Sequence, residues 1–168
     1  MENGGPRTSA REIDSAKRTW RSSAQEPIER QVYLLLQHVS GELVHELSTL
    51  LKKEGITPEQ YQVLRVLNEA GAKGIPLNLI GERSPAGDPD ITRLIDRLEQ
   101  RGLAKRERDS LDRRVVIAKI TSDGRRLHGK LKKPVASLHD RQLSTLGHRG
   151  LADLRKLLQK VAEVGPVI

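Results

Sequence analysis

One stretch limits this chain more than any other: between Asp90 and Gly124 it runs through a helix pattern, a strand, a charged turn and a second strand. Asp88-Pro89-Asp90 reads as a helix start, with Asp88 as cap and Pro89 at the first position, where a missing N–H costs nothing. Ile91, Leu94, Ile95 and Leu98 then recur at i, i+3, i+4 and i+7, one narrow apolar stripe that has to be buried. Asp90, Thr92, Arg93, Asp96, Arg97 and Gln100 are left facing out. Gly102 ends the helix, and strands are expected over 103–108 and 115–120 around the turn Asp109-Ser110-Leu111-Asp112-Arg113-Arg114. Helix followed by charged hairpin is the order in which a winged helix-turn-helix presents one element to the major groove and another to the adjacent backbone.

The flanking segments fit that reading. Residues 1–26 are rich in Gly, Ser and charge, with Trp20 the exception, and are expected to form a mobile N-terminal arm. From Pro27, apolar residues from Ile28 to Leu51 recur at three- and four-residue steps, predicting a helix too apolar to be a simple surface element of a small domain. Thr57-Pro58-Glu59-Gln60 carries the capping-box spacing, and Tyr61, Val63, Leu64 and Leu67 supply the buried side of the helix it opens. Ile75-Pro76-Leu77 suits a small edge strand and 78–83 a brief helix. Two further helices are expected over 123–139 and 147–164, lined by Leu127, Leu131, Val135 and Leu138 and by Leu151, Leu154, Leu157, Leu158 and Val161. The expected fold is mainly α with a small β-wing: a winged helix-turn-helix lobe over 56–121, with 27–53 and 123–164 as dimerisation helices.

Charge names the partner. The net charge is +8, and between Arg83 and Lys133 fifteen Lys or Arg stand against eight Asp or Glu, a local excess of seven. Such a block beside a groove-sized helix is an electrostatic footprint for polyphosphate. The only aromatics are Trp20, Tyr33 and Tyr61, too few for the stacking platforms of single-strand binders. Double-stranded DNA is therefore the expected partner. No run approaches the roughly 18 apolar residues of a membrane span, and a cytoplasmic location is expected. With no Cys, thiol nucleophiles, thiolate metal sites and cysteine redox sensing are excluded.

Arg93 and Arg97, one turn apart, are placed to enter one groove, where arginine forks match guanine O6 and N7. Thr92 suits a thymine methyl or a phosphate, and Asp90 stands beside them at the helix start. Arg106 and Arg108 before the turn and Arg113 and Arg114 after it gather four like charges on one short ribbon, which an anionic partner would relieve.

Asp112-Arg113-Arg114 and, five residues on, Ile120-Thr121-Ser122-Asp123-Gly124 resemble the wing signature of the multiple antibiotic resistance regulator (MarR) family of transcription factors. Residues 92–103 resemble its recognition helix and the exit from it, and 56–64 the opening of its second helix. The resemblance implies a homodimer built on the terminal helices. It also implies an Asp112–Arg114 tie at the wing base, leaving Arg113 toward DNA, and occupancy of a palindromic promoter site, commonly repressing and relieved by a small aromatic or anionic ligand. Candidate ligand residues are Tyr33, His38, Tyr61 and Arg65, polar tips on otherwise buried faces.

An enzyme is not expected. His38 and His45 are seven apart, not the i, i+4 pair of a helical zinc site, and His128, His139 and His148 have no ligand spacing. No phosphate-binding glycine loop or Gly-x-Ser-x-Gly occurs, so neither metal nor cofactor is expected. The alternative is a winged-helix architectural or protein-interaction module, which would have no need of four wing arginines.

Overall fold

The structure, a computed structural model, describes residues 26–83, 90–109 and 112–163. The arm expected over 1–26, with Trp20, lies outside these apart from Glu26. The chain divides into two compact units, residues 1–46 and 47–168.

The first unit contributes most of helix α1 (Ile28–Lys52). Glu26 braces its start: its carbonyl accepts from Gln31 Nε2 at 2.7 Å, and its carboxylate pairs with Arg30 at 3.5 Å. Ile28, Val32, Leu35, Leu36, Val39 and Val44 are exposed, so the apolar pattern of the sequence is present as a helix face without a cover among the described residues.

The second unit holds the core. It starts in the last turns of α1, where Leu47 and Leu51 are buried. Helix α2 (Pro58–Ala70) opens with the reciprocal box its spacing predicts. Thr57 Oγ1 accepts the Gln60 N–H at 3.3 Å, and Gln60 Oε1 accepts the Thr57 N–H at 3.0 Å. After a 3₁₀ turn come β1 (Ile75–Pro76), α3 (Leu77–Glu82), α4 (Ile91–Gln100), β2 (Ala104–Arg108) and β3 (Val116–Ile120). The strands form an antiparallel sheet in the order β1-β3-β2, with Ala118 opposite both Ile75 and Arg106. Helix α5 (Ser122–Leu143), a 3₁₀ turn and α6 (Gly147–Glu163) complete the described chain.

Helix α2 is the hub, packing against α4, β3 and α5. Leu51, Leu64, Leu67, Ile80, Ile95 and Leu98 are fully buried; burying each is worth about 1.5–3 kcal/mol. The i, i+3, i+4, i+7 stripe of α4 enters this core, with Ile95 and Leu98 at its centre and Ile91 and Leu94 packed on its margin.

Two expectations need correction. Helix α4 is capped by Asp90 and begins at Ile91, so it does not start on Asp88; Asp88 and Pro89 themselves lie outside the described residues. Helix α5 is longer than 123–139, running through Pro134 to Leu143, because tertiary contacts at Leu131, Val135 and Leu138 hold both sides of the proline. Along α6, Leu157, Leu158 and Val161 of the expected stripe are exposed.

Candidate nucleic-acid interface

Helix α4 sits on the core by its apolar stripe, which leaves Thr92, Arg93 and Arg97 on the other side, all three exposed. Asp90 works twice at its start. One carboxylate oxygen accepts the Arg93 N–H at 3.2 Å, as an N-cap does, and the other pairs with Arg93 Nε at 3.1 Å. Arg93 is nonetheless 77% exposed, and an exposed pair of this kind is worth no more than about 1 kcal/mol. Arg97 makes no ion pair or hydrogen bond among the described residues.

The wing sorts its cations into held and free. Arg114 grips Asp112 with two nitrogens, Nε to Oδ1 at 3.1 Å and Nη2 to Oδ2 at 3.2 Å, while its backbone N–H donates to the same carboxylate at 2.9 Å. These hydrogen bonds, the side-chain ones foremost, hold the Asp112 carboxyl below its ordinary pKa. Lys105 and Lys119 flank Glu107, each at 2.5 Å, and push its pKa down to about 2. Arg106 is only 25% exposed and pairs with Asp96 at 2.6 Å, so it does not stand among the open wing cations as the sequence alone implied. Arg108 and Arg113 are exposed and have no partner among the described residues.

The hairpin is seated on the rest of the lobe from below. Thr121 caps α5 by accepting the Gly124 N–H at 3.0 Å, and its hydroxyl donates to the Gly102 carbonyl at 2.7 Å. At the far end of α4, Arg101 donates to the carbonyls of Glu54, at 2.8 Å, and of Gly55. Lys130 of α5 pairs with the Glu54 carboxylate at 2.7 Å. The sequence reading missed the Arg101 contact: its acceptors are backbone carbonyls 46 and 47 residues away, and no spacing pattern marks them.

The four candidate ligand residues do different things. Tyr61 is buried and stacks on the buried His128 of α5, ring centroids 5.8 Å apart. Burial raises the Tyr61 pKa, opposed by Arg65. Arg65 donates to Gln62 at 2.9 Å and to Glu69 at 2.7 Å. Tyr33 is exposed on α1 and accepts from Gln37 at 2.9 Å, and His38 is exposed on the same helix. Among the described residues no group of three or more acidic or His side chains is arranged to hold a metal, and no helix is long and apolar enough to cross a membrane.

Residues 45–131 match the family described as transcriptional regulator SarA/Rot. The organic hydroperoxide resistance transcriptional regulator of Bacillus subtilis is 33% identical, over 61% of this chain and 69% of its own length. A MarR transcription factor from Planctomyces limnophilus superposes with a TM-score of 0.63 at 33% identity, covering 80% of this chain and 97% of that one. A mutant of MarR from E. coli, solved in complex with operator DNA, gives a TM-score of 0.67 at 27% identity, covering 76% and 90%.

Proposed function

The chain belongs to the winged helix-turn-helix transcriptional regulators of the MarR and SarA/Rot kind, and on that footing we propose that it binds a pseudo-palindromic operator as a homodimer and acts there as a repressor. The observation that carries the reading is the sorting of the arginines. Arg97 on α4 and Arg108 and Arg113 on the ribbon have no partner among the described residues, while the neighbouring cations are held by carboxylates. Free guanidinium groups on two adjacent elements suit one element in the major groove and the other on flanking phosphate or in the minor groove. Arg93 and Thr92 complete the base-reading set, since the Asp90 pair is exposed enough to exchange for a base edge. Asp90 contributes by capping the helix, and Arg114 by shaping the wing through Asp112.

Dimerisation is supported by the uncovered apolar faces on α1 and on α6, which a second copy would bury. The residue ranges 27–53 and 123–164 serve that purpose in this reading, and 56–121 reads DNA. A response to oxidants, if the protein has one, cannot run through a thiol, because the sequence contains no Cys.

The test is selection from a randomised duplex pool at two salt concentrations. An enriched pseudo-palindrome with half-site centres roughly 10 bp apart is expected. Arg113→Ala should then weaken binding to all duplexes and lower the log–log salt slope by about 0.9 for each phosphate the protein no longer neutralises. Recovery of no common sequence would overturn sequence-specific recognition and leave the architectural reading.

A further inference from the structure

Arg106 belongs to the ribbon, yet among the described residues the hydrogen bonds and ion pairs of its side chain all go to α4. Its Nη2 donates to the Thr92 carbonyl at 2.8 Å and pairs with Asp96 Oδ1 at 2.6 Å. Its Nε lies 3.9 Å from Glu99 Oε2, while Glu99 Oε1 accepts the Arg106 backbone N–H at 2.9 Å. Strand β2 is an edge of the sheet, so that N–H has no strand on its outer side to take it. The exchange is reciprocal: α4 covers the strand's open edge with Glu99, and the strand returns a guanidinium that reaches from Thr92 to Glu99, two turns of α4.

We propose that Arg106 is a positioning residue that clasps α4 to the β2–β3 ribbon, so that both are presented to DNA as one rigid head, and that it does not itself touch DNA. Turning Arg106 out to a phosphate would strip Asp96 and Glu99 of their cation and leave two carboxylates beside the groove. Each new contact would thus be offset by new repulsion. The clasp also fixes the spacing between Arg97 on the helix and Arg108 and Arg113 on the wing. Misplacing either element by an ångström costs the directional base contacts far more than the diffuse phosphate attraction.

The inference rests on α4 and the ribbon being the DNA-contacting elements, and the test separates its failure from failure of that reading. Full-length Arg106→Gln and Asp96→Asn proteins are titrated with the selected operator and with an unrelated duplex across a salt series. Amide hydrogen exchange is followed over 91–100 and 104–108 without DNA. The clasp predicts that both variants lose operator-over-unrelated selectivity by about tenfold, the scale of one misplaced base contact. The salt slope of Arg106→Gln stays that of the parent, and exchange in both segments quickens while α2 is unchanged. A slope lowered by about 0.9 per phosphate, with equal weakening on both duplexes, would make Arg106 a phosphate contact and overturn the proposal. Asp96→Asn separates the two further, because freeing a DNA-contacting Arg106 would preserve or raise operator selectivity. If the parent protein selects no operator, the functional reading fails, and exchange alone decides the clasp: unchanged exchange in both variants overturns it.

Discussion

A single missing methyl group at Gly124 lets the second half of the chain seat on the wing. A Cβ there would lie 2.1 Å from the Leu103 carbonyl oxygen and 2.8 Å from Ile120 Cγ1, well inside contact distance of a backbone atom that cannot move aside. Gly124 and the Thr121 cap thus press the first turn of α5 onto the strand that leaves α4. Gly124→Ala should destabilise the fold by about 1–3 kcal/mol, the usual range for overpacking a tight contact. The check is the urea midpoint at unchanged slope. The same scale explains the wing: carboxylates at Asp90, Asp96 and Asp112 decide which arginines remain open to a ligand, and residue type alone does not.

Between elements, the α2–α5 contact contains the ring stack of Tyr61 on His128. Burial lowers the His128 pKa, helped by Lys132 on its own helix and by Arg65 on α2, and opposed by Glu69. The folded protein therefore binds this proton less readily than the unfolded chain does. Stability from this group is fully present above the ordinary imidazole pKa of 6.5 and falls as the pH drops below it. Thermal midpoints measured between about pH 7.5 and pH 5 should decline on the acid side. His128→Phe, which keeps a ring against Tyr61 and removes the titration, should flatten that decline; an equal decline in the variant would assign the pH response to other groups.

For the whole molecule, the exposed stripes on α1 and α6 are the largest departure from what a lone chain should tolerate. If a second copy covers them, the melting midpoint should rise with protein concentration. Leu157→Glu combined with Val161→Glu should shift the mass in light scattering from dimer to monomer and abolish cooperative operator binding. A dimer that survives both charges would place the interface elsewhere. What the sequence by itself determined was whatever depends on short separations. The capping box at Thr57 and Gln60, the buried stripe of α4, the edge strand at Ile75 and the hairpin around Asp112 and Arg114 all lie within one or two turns or one ribbon, where backbone geometry ties spacing to position. Only the tertiary structure decided that α4 is capped at Asp90, that α5 continues through Pro134, that Tyr61 is stacked away under His128, and that, among the described residues, Arg106 is held while Arg97, Arg108 and Arg113 are not. Each of those outcomes depends on partners brought close by packing. An arginine reads the same in sequence whether its nearest carboxylate is folded against it or pointed away.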